Sequence, residues 1–164
     1  TDPVPDEAIQ AILEAGRLAP SACNKQPWRF AVVTGEATRR SIVETAFLQG
    51  IPMRWALNAP VFFVLGMVRS IVTHEIASRV SGIDHSWVDI GIAGEHMVLQ
   101  ATELGLCTCW IGWIRSKKVA RIVGWPRGVQ PVAIITCGYP TEETDHPRRP
   151  RQALEDLTTY VTGS

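Results

Sequence analysis

The sequence predicts a single domain in which helices and strands alternate around a buried sheet. Apolar residues recur at helical spacing in several segments, and continuous apolar runs of strand length lie between those segments. The chain has 164 residues, of which 46% are hydrophobic, and this is enough for one domain with a substantial core. Taken alone, the alternation favours a doubly wound parallel sheet.

Five helices and four strands are predicted along the chain. Helices are predicted over residues 5–18, 36–48 and 87–104, with a short helix that has Ser116 as its N-cap and a last helix from about Gln152. Strands are predicted over residues 28–34, 61–67, 108–114 and 129–138. The helix at 87–104 is apolar nearly all round, which is typical of a helix buried on most sides, here by the core and a partner subunit.

Charge and cysteine content argue against several classes of function. The formal net charge is zero, so bulk charge gives no reason to expect nucleic acid or a membrane surface as a partner. The longest apolar runs are too short to span a bilayer. The four cysteines form no C-x-x-C pair and have no histidine at zinc-ligand spacing, so no metal is predicted. Free thiols, together with no visible secretory signal, predict a cytoplasmic protein.

The loop at residues 19–30 carries the strongest functional signal. It reads APSACNKQPWRF, with two prolines around a run of small and amide side chains. The Ser21 hydroxyl, the Asn24 amide and the backbone N–H groups could contact a planar polar ligand. The alternative is that Asn24 and Gln26 only hold the loop together through bonds from side chain to backbone.

Two later motifs add to this signal. The long predicted helix contains DIGIAGEH and is followed by GLCTCWIGW at 105–113, where Gly112 permits close approach to the backbone. The second motif is RRPRQALE at 148–155, a basic cluster that would alone be read as a solvated surface. Asp89, Glu95 and His96 on the helix are interpreted as hydrogen-bonded packing or dimer contacts.

Together the three motifs resemble the FMN-dependent nitroreductase family. The family patterns are A-P-S-x-x-N-x-Q-P-W-x-F, G-L-G-x-x-x-x-G and K-x-R-x-P-L-E-E, and the likeness spans nearly the whole chain. The resemblance implies an α+β fold with a mixed, largely antiparallel sheet flanked by helices, in a tight homodimer. We expect this fold, because the motifs are more specific than the alternation of elements.

The resemblance also implies a flavin site at the subunit interface. The loop would reach the flavin of the other subunit, a backbone N–H near Gly112 or Trp113 would face flavin N5, and two arginines would bind the phosphate. The implied cofactor-binding residues are Pro20, Ser21, Ala22, Asn24, Arg54, Ile111, Gly112, Trp113, Arg149 and Arg151. No side chain is implied as a catalytic acid or base. Family members carry a further arginine-rich arm ahead of the segment that matches Val4. We expect either that such an arm precedes this sequence or that the protein binds FMN with a reduced set of arginines.

The implied function is an FMN-dependent oxidoreductase. It would use NAD(P)H to reduce nitroaromatic or quinone-like acceptors by a ping-pong hydride mechanism. The alternatives are a flavin reductase or a flavin-consuming enzyme of the same fold, and a flavin-binding protein without catalytic turnover.

Overall fold

Helices cover both faces of a four-stranded sheet. The computed structural model describes residues 2–48, 50, 53–68, 82–141 and 150–162. The strands are β1 (Trp28–Val33), β2 (Val61–Val68), β3 (Cys107–Ile111) and β4 (Val129–Gly138). They lie in the order β1-β2-β4-β3, and every pairing is antiparallel. The antiparallel α+β fold implied by the resemblance is confirmed. The parallel sheet favoured by alternation is wrong, because alternation fixes neither strand order nor strand direction.

The helices agree with the predicted segments except at their ends. They are α1 (Asp6–Arg17), α2 (Glu36–Ser41), α3 (His85–Glu103), α4 (Ser116–Ile122) and α5 (Leu154–Leu157). The predicted helix at 36–48 continues from α2 as a π-helical turn, Ile42–Ala46. Ser116 is not an N-cap: it is the first residue of α4, and its Oγ donates to the Pro131 carbonyl at 2.8 Å.

Strand β2 lies at the centre of the molecule and is buried on both faces. Its alternate side chains point to opposite sides of the sheet. On one side Phe63 and Leu65 pack with α1 and α3, and on the other Phe62 and Val64 pack with the π-helical turn and α4. The three layers that result explain why residues 61–67 read as an unbroken apolar run.

Helix α3 is buried on one side only within a single chain. Ile90, Ala93 and Met97 face α1 and the sheet, and Met97 packs onto Gly16 so closely that a Cβ there would come within 2.8 Å of its Cγ. On the opposite side Val88 is 48% exposed and Leu99 is 60% exposed. The described residues therefore do not bury this helix on most sides. Across the described residues, no helix has both the length and the apolar character needed to cross a membrane.

Candidate functional site

The loop between α1 and β1 has a strained backbone. It contains a 3-10 turn at Ala22–Asn24, and three of its non-glycine residues have left-handed φ angles: Cys23 at 52°, Asn24 at 53° and Gln26 at 50°. Left-handed conformations cost side chains about 1–2 kcal/mol each, with asparagine the best tolerated. Such strain concentrates at functional sites. The loop is therefore a candidate site on backbone geometry as well as on sequence.

Hydrogen bonds within the loop hold this conformation. The Gln26 backbone N–H donates to Ser21 Oγ at 2.9 Å, and Gln26 Nε2 donates to Asn24 Oδ1 at 3.1 Å. The structure therefore supports the interpretation that Asn24 and Gln26 hold the loop. The hydroxyl hydrogen of Ser21 and the amide hydrogens of Asn24 are not used in these bonds, so both side chains can still donate to a ligand.

A buried carboxyl group ties the loop to α3. The Ala22 N–H donates to Asp89 Oδ1 at 2.9 Å across 67 positions of sequence. Asp89 is only 2% exposed, and its Oδ2 has no hydrogen-bond partner within the described part of the chain. From the sequence, Asp89 was interpreted, with Glu95 and His96, as hydrogen-bonded packing or a dimer contact; the bond to the loop was not predicted. The one available signal was an acidic residue on the mostly apolar buried side of α3, next to Ile90 and Ala93.

The segment after β3 is the second candidate surface. The Ile111 side chain is buried in the core, so this residue can offer only its backbone to a ligand. Gly112 and Trp113 are exposed, and a Cβ placed on Gly112 would meet no atom within 4 Å. The Leu48 N–H donates to the Trp113 carbonyl at 3.0 Å and so fixes the segment. The open space beside Gly112 fits a flat ring system that lies against the backbone.

These two surfaces lie at opposite edges of the sheet. The loop leads into β1, which is one edge strand, whereas Gly112 follows β3, which is the other. Three strand spacings separate the two edges, a distance of about 14 Å. Within one chain, the loop and Gly112 therefore adjoin the two opposite edge strands of the sheet.

The structure describes two of the three predicted basic residues, Arg54 and Arg151. Arg54 is exposed at the start of a 3-10 turn, Arg54–Asn58, that leads towards β2. Arg151 is also exposed, and its Nη1 donates to the Pro150 carbonyl at 3.3 Å. Arg149 lies outside the described residues. Pro20 is exposed at the start of the loop.

Comparison with known proteins agrees with the sequence motifs. An NADH dehydrogenase of Thermus thermophilus is 28% identical over 164 residues, covering 87% of this chain and 80% of that protein. An FMN reductase [NAD(P)H] of Bacillus subtilis is 29% identical, covering 98% of this chain and 68% of that protein. The crystal structure of a nitroreductase family protein from Clostridium novyi NT superimposes with a TM-score of 0.76 at 28% identity, covering 88% of this chain and 80% of that one.

A family profile gives the same result over most of the chain. The profile described as Nitroreductase family matches residues 1–53 and 48–139. These matches include the loop, α3 and the segment after β3. The chain belongs to the nitroreductase family.

Proposed function

We propose that this chain is one subunit of a homodimeric, FMN-dependent oxidoreductase that uses NAD(P)H to reduce nitroaromatic or quinone-like acceptors. The observation that carries the proposal is the pair of ligand-facing surfaces at opposite edges of one sheet, around Ser21 and around Gly112. A second copy that brings its loop to the Gly112 edge would complete the site. Similar proteins named NADH dehydrogenase and FMN reductase [NAD(P)H] support the choice of FMN and NAD(P)H.

The loop suits the polar edge of a flavin. Its ring carbonyls and nitrogens need donors and acceptors close to one plane. The side chains of Ser21 and Asn24 keep donor hydrogens free of the bonds that hold the loop. The strained backbone places these donors before any ligand arrives, which lowers the entropic cost of binding.

The segment after β3 suits the reacting face of the ring. When bound, the flavin supplies the redox chemistry, taking electrons from NAD(P)H and passing them to the acceptor in a ping-pong cycle. A backbone N–H near Gly112 or Trp113 would give its N5 atom a fixed donor that does not titrate. The chain thus positions the ring, and no side-chain acid or base is needed.

Arginine side chains suit the phosphate end. Guanidinium groups bind phosphate through paired, charge-assisted hydrogen bonds. Exposed Arg151, with Arg149 two positions before it, is assigned to the phosphate. Exposed Arg54 is assigned to the flavin ring, where a positive charge would stabilise the reduced anionic form.

The exposed side of α3 and the C-terminal tail favour a homodimer. Val88 and Leu99 lie on one stripe of α3, opposite its buried side. In the tail, the neighbouring side chains Tyr160 and Val161 are 87% and 91% exposed, which suits a segment that packs on a partner. We propose a second copy of the chain as the partner that covers both surfaces.

We place the enzyme in the cytoplasm. Cys23, Cys107, Cys109 and Cys137 are all free thiols, and three of them are exposed. Exposed free thiols are typical of a reducing compartment.

A flavin reductase is the second candidate. It is favoured by the 29% identity to an FMN reductase [NAD(P)H] over 98% of this chain. In that case FMN would be the substrate that leaves reduced, and a nitroaromatic acceptor would compete poorly with added FMN.

Visible spectroscopy tests the proposal directly. The purified protein is mixed with FMN, separated from free flavin, and titrated anaerobically with NADH and then with NADPH. We expect co-eluting flavin absorbance that bleaches with a nicotinamide donor and recovers when a nitroaromatic or quinone is added. No flavin retained by the protein would overturn the proposal. Fast turnover only with added FMN, with reduced FMN as the product, would decide for the reductase.

A further inference from the structure

We propose that Asp89 is a positioning residue that sets the loop in its flavin-binding conformation through the Ala22 N–H. The inference rests on the proposed function and names a residue outside the predicted set. Asp89 sits in the second turn of α3, on the side that faces the core, and does not lie on the exposed surface of the loop. It acts on a ligand only through Ala22.

The bond joins two parts of the chain that local structure does not connect. Ser21, Asn24 and Gln26 bond one another, and these contacts shape the loop internally. The bond from Ala22 to Asp89 Oδ1 attaches the loop to α3. Together with the Val68 N–H, which donates to the Pro27 carbonyl at 2.8 Å, it ties the shaped loop to the rest of the protein.

The unused oxygen of Asp89 argues against a purely structural role. A fully buried acceptor without a partner costs free energy, and Oδ2 is such an atom within the described residues. The buried side of α3 holds Ser86 one turn before it and Ile90, Ala93 and Met97 after it, and the three apolar side chains offer a carboxyl group no hydrogen bond. The carboxyl group is costly for the helix, and the contact that uses it is the one with the loop.

Four variants of the full chain separate positioning from packing. Asp89→Ala removes the acceptor, whereas Asp89→Asn keeps an acceptor oxygen for Ala22. Ala22→Pro removes the donor from the other side, and extended Ser21 (φ −144°, ψ 155°) is compatible with a following proline. Met97→Ala is the control for lost stability, since it opens a cavity on the same side of α3 two turns beyond Asp89.

The first readout is the Kd for FMN, from flavin fluorescence, at a temperature where each variant is folded by circular dichroism. We expect Asp89→Ala and Ala22→Pro each to weaken binding by at least about tenfold. Asp89→Asn is expected to stay within about threefold of wild type, because its amide oxygen still accepts. The double variant Asp89→Ala/Ala22→Pro should lose no more than either single variant, because both remove the same bond. Met97→Ala should lower the melting temperature and leave the Kd unchanged.

The second readout is hydrogen exchange of the Ala22 amide in the protein without flavin. Asp89→Ala should speed this exchange by at least about tenfold, and Asp89→Asn should not. Wild-type Kd values in Asp89→Ala, or equal losses in Asp89→Asn and Asp89→Ala, would overturn the inference. If wild-type protein binds no FMN, the proposed function fails, and the exchange rates still decide whether Asp89 positions the loop.

Discussion

Gly94 of α3 lies directly against the indole ring of Trp110 of β3. A Cβ at position 94 would overlap the six-membered end of that ring and would approach Leu65 Cδ2 to 2.8 Å. This contact fixes the distance between α3 and the sheet. The sequence placed a glycine inside the helix, and the ring of Trp110 is what requires it.

Gly94→Ala should therefore destabilise the protein, although alanine favours a helix by about 1 kcal/mol. Overpacking against Trp110 and Leu65 should leave a net loss of about 1–2 kcal/mol, measured by urea unfolding. The control is the same substitution in a Trp110→Leu background, where the overlap is gone and Gly94→Ala should be neutral or stabilising. Equal losses in both backgrounds would refute the contact.

Gly112→Val should weaken FMN binding with little change in stability. A Cβ at Gly112 meets no protein atom within 4 Å, so valine projects into the surface assigned to the flavin ring. We expect a Kd at least about tenfold higher, and an unfolding free energy within about 0.5 kcal/mol of wild type. Gly128→Val is the matched control, because Gly128 is also exposed with open space, and it should leave the Kd unchanged. A wild-type Kd for FMN in Gly112→Val would contradict the assignment of the flavin ring to this surface.

Leu99→Glu should convert a dimer into monomers. Leu99 is 60% exposed on the stripe of α3 assigned to a second copy, and a carboxylate buried there would lack a partner. Sedimentation equilibrium should show a dissociation constant raised by at least about a hundredfold, with FMN binding lost in parallel. Gln10→Glu makes the same charge change on exposed α1 and should leave the assembly intact. A dimer that persists in Leu99→Glu would contradict the assigned interface.

Alkaline pH should destabilise the fold in part through Cys137. Burial, with a smaller contribution from the Cys107 thiol, raises the pKa of Cys137 from 9.0 to about 11. The folded chain therefore holds this proton more tightly than the unfolded chain, so the stabilisation is complete below about pH 9 and is lost between about pH 9 and 11. The loss is about 2–3 kcal/mol. In Cys137→Ala the urea midpoint should decline less steeply with pH over that range than in wild type. An equally steep decline in both proteins would contradict a contribution from Cys137.

The helices and strands could be predicted because the spacing of apolar residues along the sequence reflects which side of each element is buried. The run at 61–67 is unbroken because β2 is covered on both faces, and α1 shows one apolar side because Ile9, Ile12 and Gly16 face the core. Strand direction could not be predicted from alternation and required the motifs. Ser116 has the chemistry of an N-cap, but its hydroxyl bonds the Pro131 carbonyl on β4, a partner that only the tertiary fold supplies.

The sequence motifs named candidate site residues, but they did not indicate the geometry of the loop that carries them. The loop motif indicated Ser21 and Asn24. Cysteine and glutamine rarely adopt left-handed φ angles, so the strained backbone at Cys23 and Gln26 could not be predicted from the sequence. The contact between Ala22 and Asp89 spans 67 positions and leaves no local signature. Arg149, assigned to the phosphate, stays a prediction because it lies outside the described residues.

The separation of the loop and Gly112 on opposite sheet edges has a consequence for mixed assemblies. Suppose that each flavin contacts the loop of one copy and the Gly112 surface of the other. A variant with a defective loop and a variant with a defective Gly112 surface then each lose a different half of every site. Paired together, they rebuild one intact pocket and leave the other doubly damaged. Two inactive proteins, unfolded and refolded as a mixture, would then regain flavin at one equivalent per hybrid pair, which neither achieves alone.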